Sequence, residues 1–326
     1  MKRGYKMLVV TMGDANGVGP EIILKAYDDG ALKSDFTVVG DFDVMSRCAG
    51  EMKSGATLHK IGRTDEYKQG VLNIFDMNLL KADEVEPGRV SKDVAAASRA
   101  YIVKATEMAR AGNFSAIVTL PVNKEGIRLS DGGFTGHTEL IAGICGQDNY
   151  TMMLASPKLT VTHVSTHESM EQSVKNVKKA RVLDVIKLTD EALGRFIESP
   201  RIAVAGLNAH AGEGGAFGRQ EIEEIGPAVE TAREQGVDAV GALPPDTVFL
   251  RASNGEFDAV VCMYHDQGHI PMKLLDFEGG VNVTLGLDVV RTSVDHGTAY
   301  DIAWQGKAST GSFIAAFDYA ARMAKK

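Results

Sequence analysis

The chain has 326 residues, 44% hydrophobic and 24% charged, the composition of a soluble globular protein long enough for about two domains. Its 35 basic and 43 acidic residues leave a net charge of −8, which excludes the clustered basic surface that nucleic-acid binding needs; an anionic ligand must be met by a few local cations. Three scattered cysteines, Cys48, Cys145 and Cys262, suggest neither a disulfide framework nor a thiolate metal site, and no apolar run reaches signal-peptide or membrane-spanning length, so a cytoplasmic protein with no membrane partner is expected.

In chain order, the run MLVVTM (7–12) predicts a buried strand, followed by the glycine-rich turn GDANGVG and by Pro20 at the first position of a helix. FTVVG (36–40) predicts a second strand. In the stretch 91–112, Ser91 can cap a helix whose residues Val94, Ala97, Tyr101, Ala105 and Met108 form one apolar stripe, with Gly112 ending it. SAIVTLPV (115–122) is a third strand, and Gly136-His137-Thr138-Glu139 opens another helix. LTVTHVS (159–165), RIAVAGL (201–207) and DAVVCMY (258–264) are further strands, separated by helix-like stretches at about 169–198 and 218–236. This alternation predicts an α/β protein whose mostly parallel sheets are covered by helices.

Four places carry chemistry. Gly17 and Gly19 of the first turn give G-x-G without a third glycine, and Asp14 and Glu21 would repel a pyrophosphate there, which favours a tight strand-to-helix turn over a phosphate cradle. At the helix opening, backbone N–H groups, the Thr138 hydroxyl and His137 can bind an oxyanion. His167, His210 and His265 each stand just beyond the carboxyl end of a strand, where ligands converge in open α/β sheets, and three neutral imidazoles suit a catalytic divalent metal. His269 follows His265 by four residues, but Gly268 and Pro271 argue against a helix that would put both on one face, and His163 lies inside a strand as a packed or hydrogen-bonded residue. The tail from Lys273 through Asn282 to Arg291 offers the cations an anionic substrate needs, Arg291 through its planar fork.

The segments GLNAHAGEGGAFGRQE, MYHDQGHIPMKLL, FTGHTE and VNVTLGLDVVRTSVDHGTAYDIAWQGKA resemble the 4-hydroxythreonine-4-phosphate dehydrogenase (PdxA) family over essentially the whole chain. The resemblance implies metal ligation by His167, His210 and His265, and binding of a phosphorylated small molecule by His137, Thr138, Lys273, Asn282 and Arg291. It also implies a homodimer whose metal site is completed across the subunit interface. The fold implied is that of isocitrate and isopropylmalate dehydrogenases, with the active site in an interdomain cleft. Residues 1–125 with 285–326 would form one domain and 126–284 the other, which carries the metal histidines.

HGTAYDIAWQGKA resembles the nucleotide loop of those enzymes, which places NAD or NADP at His296, Gly297, Thr298 and Asp301. The metal expected on imidazole ligands is Zn, Co, Mn or Ni before Mg. Lys124 and Lys273 are the candidates for the base. His269 and PPDTVFL (244–250) are more similar to the branch that oxidises 4-phospho-D-threonate or 4-phospho-D-erythronate than to the vitamin B6 branch. A sugar-phosphate binding protein or a metal hydrolase is the alternative from a different class.

Overall fold

The computed structural model describes residues 7–276 and 279–324, so the basic residues Lys2, Arg3 and Lys6 lie outside the described residues. Its strands are β1 (Leu8–Thr11), β2 (Phe36–Gly40), β3 (Leu58–Ile61), β4 (Leu72–Asp76), β5 (Ala116–Thr119), β6 (Thr151–Ala155), β7 (Thr160–His163), β8 (Ile202–Ala205), β9 (Ala239–Leu243), β10 (Ala259–Cys262), β11 (Val281–Leu285) and β12 (Arg291–Ser293). The chain divides into two compact units, one built on residues up to Asp148 and from Leu287 onward, the other on Asn149–Gly286.

In the first unit the strand order is β3-β4-β2-β1-β5-β12, every neighbour parallel. Strands β1, β2 and β5 are buried throughout, as their unbroken apolar runs require for a sheet covered on both faces. The helix Lys92–Arg110 packs on these three strands. Its start is capped by Ser91, whose hydroxyl accepts from the Val94 N–H at 3.4 Å, and its buried stripe includes Val94, Ala97, Tyr101, Ala105 and Met108. Tyr101 is fully buried and donates its hydroxyl to the buried carboxylate of Asp41. Removing a ring of that size from a packed core costs about 3–5 kcal/mol.

The helices Lys124–Arg128 and His137–Cys145 also pack on Lys92–Arg110, which puts residues 126–148 in the first unit, whereas the approximate boundary expected with the family resemblance had them in the second domain.

The second unit has the order β11-β6-β7-β10-β8-β9, in which β6 runs antiparallel to both β11 and β7 and the other pairs are parallel. Its helices cover both faces: Val182, Val185 and Ile186 of the helix Lys179–Leu193 join Ile202, Val204 and Val261 in one core cluster, and Val248, Ala252 and Met272 join Leu154, Val161 and Val260 in another. The helical stretch expected at 169–198 is two helices, Met170–Asn176 and Lys179–Leu193.

One expectation is overturned. Residues His265–Leu275 form a helix that runs through both Gly268 and Pro271. A Cβ on Gly268 would lie 2.7 Å from His163 Nε2 and 2.9 Å from Cys262 Sγ, so glycine is what lets the helix sit close on β7 and β10. Gln267 ties the helix start down, accepting from Met263 N and donating to the Gly206 carbonyl, each at 2.7 Å. Packing and these bonds outweigh the local propensity. His265 and His269 therefore share one face, with their rings stacked at 3.6 Å between centroids. Among the described residues, no helix is long and apolar enough to cross a membrane.

Candidate active site

The first unit gathers the residues expected to bind an anion at the start of the helix His137–Cys145. Arg291, at the head of β12, is only 3% exposed, and its Nε and Nη2 donate to the Thr119 hydroxyl at 3.2 and 2.8 Å. Its Nη1 is 3.4 Å from Thr138 Oγ1. Burial pulls the guanidinium down to about 10, opposed by the Glu139 carboxylate, so it stays charged at neutral pH. His137 has its Nε2 buried without a hydrogen-bond partner. Burial first, then the charges of Arg291 and Lys124, push its pKa down to about 3, so the ring is neutral. Lys124 is exposed and reaches over Gly136, where an added Cβ would lie 3.4 Å from its Nζ. A buried cation bonded to neutral hydroxyls, beside the free N–H groups of a helix start, is a place for phosphate or carboxylate oxygens. The sequence pattern missed Thr119, whose place at the end of a buried strand carries no signal of its own.

The second unit gathers histidines. His167 follows β7, His265 opens its helix after β10, and their ring centroids are 5.9 Å apart on a cavity of about 380 Å³. His265 Nδ1 donates to the Asp266 carboxylate at 2.7 Å, which turns Nε2 outward, the arrangement that orients an imidazole toward a metal. These residues fit a divalent cation. His210 is not grouped with them: it lies beyond β8, with Nδ1 3.9 Å from the Asp246 carboxylate. Among the described residues no three His, Cys, Asp or Glu side chains stand together ready to hold a metal.

His163 is packed as expected, fully buried, with Nδ1 donating to the Met152 carbonyl at 3.2 Å and Nε2 3.2 Å from His269 Nδ1. Asn282, on β11, leaves its Oδ1 buried and unpartnered, while Lys273 lies partly buried toward the end of the His265 helix.

His210 sits in an unusual turn. Residues 210–214 all have left-handed backbone, and His210 (φ 52°), Ala211 (φ 53°) and Glu213 (φ 43°) do so with side chains. The turn is held by the buried Glu221 carboxylate, which accepts from Leu207 N and Asn208 N at 2.8 Å and from Asn208 Nδ2 at 2.9 Å.

The glycine-rich turn after β1 is no phosphate cradle, because its polar groups are committed to the segment 298–308. Gly17 lacks a Cβ where one would lie 2.8 Å from the Thr298 carbonyl, and Val18 N donates to that carbonyl at 3.0 Å. The Tyr300 hydroxyl donates to Asp14 Oδ2 at 2.8 Å, and Ala308 N to Glu21 Oε1 at 2.9 Å. On this footing His296, Gly297 and Asp301 are exposed, so an imidazole, a bare backbone and a carboxylate are offered on an anchored loop. That set fits the ribose and base of a dinucleotide.

A profile of the family described as "Pyridoxal phosphate biosynthetic protein PdxA" matches residues 33–320. The chain belongs to the PdxA family. Among PdxA relatives it is 43% identical to the "D-threonate 4-phosphate dehydrogenase" of Salmonella typhimurium, over 98% of this chain and 99% of that one. It is also 45% identical to the "4-hydroxythreonine-4-phosphate dehydrogenase" of Geobacter metallireducens, over 98% and 95%. The crystal structure of the Klebsiella pneumoniae 4-hydroxythreonine-4-phosphate dehydrogenase superposes with a TM-score of 0.90 at 42% identity, covering 98% of this chain and all of that one. The mostly parallel α/β fold expected from the sequence is thus the fold of this PdxA structure.

Proposed function

We propose that this PdxA-family protein is a metal-dependent, NAD-linked dehydrogenase that oxidises 4-phospho-D-threonate or 4-phospho-D-erythronate and releases carbon dioxide, giving dihydroxyacetone phosphate. The observation that carries the reading is the buried Arg291 beside Thr138 and His137, a set of donors suited to an anion, with an orphaned imidazole nitrogen. Arg291 would take two oxygens of a phosphate through its fork, and the helix start and neutral His137 would satisfy the rest. His167 and His265 would hold a divalent cation, which when bound supplies Lewis acidity to the substrate hydroxyl and to the carbonyl that replaces it. His296, Gly297, Thr298 and Asp301 would hold NAD, which when bound would supply the acceptor for the hydride. Lys124 or Lys273 accepts the hydroxyl proton, and the resulting β-keto acid loses carbon dioxide and takes a proton at the same carbon.

His210 completes the ligand set from a second copy of the chain. The exposed side chains of Met170, Val174, Phe217 and Ile222 in that part of the second unit are apolar surface a homodimer would bury. The Geobacter metallireducens relative supports a second reading, oxidation of 4-hydroxythreonine 4-phosphate. Formation of reduced nicotinamide with purified enzyme on all three substrates decides between them. A higher kcat/KM with either phosphorylated sugar acid is expected; preference for hydroxythreonine phosphate overturns the substrate, and no reduction of nicotinamide with any of them favours a binding protein or a hydrolase.

A further inference from the structure

The segment 298–308 holds two non-glycine residues in left-handed backbone, Ala299 (φ 45°) and Trp304 (φ 60°). Such residues cost on the order of 1 kcal/mol or more each and persist only where the surroundings impose them. Here the glycine-rich turn and the helix after it impose them. Trp304 Nε1 donates to the Ala15 carbonyl at 3.1 Å, and Lys25 Nζ to the carbonyls of Gly306 and Ala308 at 2.9 and 2.6 Å. With Val18 N on the Thr298 carbonyl and Glu21 on the Ala308 N–H, these contacts all involve the main chain of 298–308 or of the turn. The bond from the Tyr300 hydroxyl to Asp14 Oδ2 is different: it joins two side chains and meets the loop between Thr298 and Asp301.

Asp14 is 1% exposed, and its other oxygen accepts from Asn16 N at 2.9 Å, so the carboxylate is fixed at both ends. Burying a carboxylate is costly unless its bonds return the cost, and no phosphate is welcome beside it. We propose that Asp14 is a positioning residue for the dinucleotide, acting through Tyr300 to hold the loop His296–Asp301 in the shape that receives the cofactor. This rests on the reading of His296, Gly297, Thr298 and Asp301 as the cofactor loop.

The chain's single tryptophan, Trp304, lies in this same segment and reports on it by fluorescence. The test is the Kd for NAD, by Trp304 fluorescence and by calorimetry, on metal-loaded full-length protein. Losing one hydrogen bond to a buried charge predicts a Kd raised roughly tenfold in Tyr300→Phe. Asp14→Ala, which also loses the bond from Asn16 N, should show at least that rise, and the double variant no more than Asp14→Ala alone. Asp14→Asn, whose amide can still bond the phenol, should stay within about threefold of the parent. kcat at saturating NAD and bound metal should change little, so the effect appears in the KM for NAD. Unchanged NAD affinity in Tyr300→Phe, even with a lowered Tm, overturns the positioning role. Additive losses in the double variant overturn the route through Tyr300. If the parent enzyme itself fails to bind NAD by calorimetry, the cofactor-loop reading falls and this role with it.

Discussion

The residues expected to bind an anion, in the first unit, and the histidines expected to bind a metal, in the second, differ in how far the chain brings each set together. Arg291, Thr119, Thr138 and His137 are bonded to one another or buried around a helix start, and their geometry is set before any ligand arrives. His167 and His210 are exposed on segments that follow strands, and of the three expected ligands His167 and His265 come together while His210 stands apart. Preorganised donors bind what fits them. The exposed His167 and the half-exposed His265 are not fixed to each other in that way. The first group should therefore respond to substitution as a binding site does, and the second as an assembly does.

The sharpest way to break this contrast is Arg291→Met, which keeps length and apolar volume but removes the fork. kcat/KM for the phosphorylated substrate should fall by about a thousandfold, as expected for a buried charge-assisted contact to phosphate, with bound metal unchanged. A loss of metal in that variant would mean that the two groups are not separable.

For the histidines, His210→Ala and His265→Ala should each lose metal and activity. Mixing the two inactive variants and allowing subunit exchange should restore about a quarter of the parent rate, because half of the dimers are mixed and each carries one intact site. No recovery would place all ligands in one chain or assign His210 elsewhere.

A smaller effect concerns pH. His137 has its folded pKa lowered to about 3 from an ordinary value of 6.5, so the unfolded chain binds more protons between those values. Its contribution is constant above about 6.5 and turns against the folded state as pH falls through that window toward 3. His137→Gln should therefore lose less stability than the parent between pH 6.5 and 4, measured by denaturant unfolding, while its substrate KM rises. An identical acid slope in both would show that His137 is not kept neutral by its surroundings.

The smallest expected change is His269→Leu. It should retain metal and lower the preference for 4-phospho-D-threonate over 4-hydroxythreonine phosphate by a few-fold, the size of one lost polar contact. Its Nδ1 is already engaged with His163 and the His265 carbonyl, at 3.2 and 3.1 Å, so a loss of metal would reveal a direct role that the stacked geometry does not provide.

What was legible beforehand follows the same contrast. Strands such as LVVT and AVVC announce themselves because burial on both faces forces unbroken apolar runs, and the Ser91-capped helix because its stripe has one clear period. LHKI and LNIFD, at the edge of the first unit's sheet, carry charge and amide groups and gave no such signal. Gly268 and Pro271 argue against the helix from His265 because they are local signals, whereas the close seating against His163 that decides the matter joins residues about a hundred positions apart. His137, Thr138 and Arg291 were legible as donor types; that Thr119 anchors the guanidinium was not, since a strand-end threonine looks like any other.

The left-handed turn at His210 has a consequence for anyone transplanting this site. Three of its five residues carry side chains where glycine would sit more easily, at about 1 kcal/mol or more each, so the octapeptide around His210 does not encode its own shape. The shape is dictated from Glu221, at the start of the next helical segment. A loop graft that takes residues 208–215 alone should relax into another conformation on its new scaffold; one extended through Glu221 carries the instruction with it.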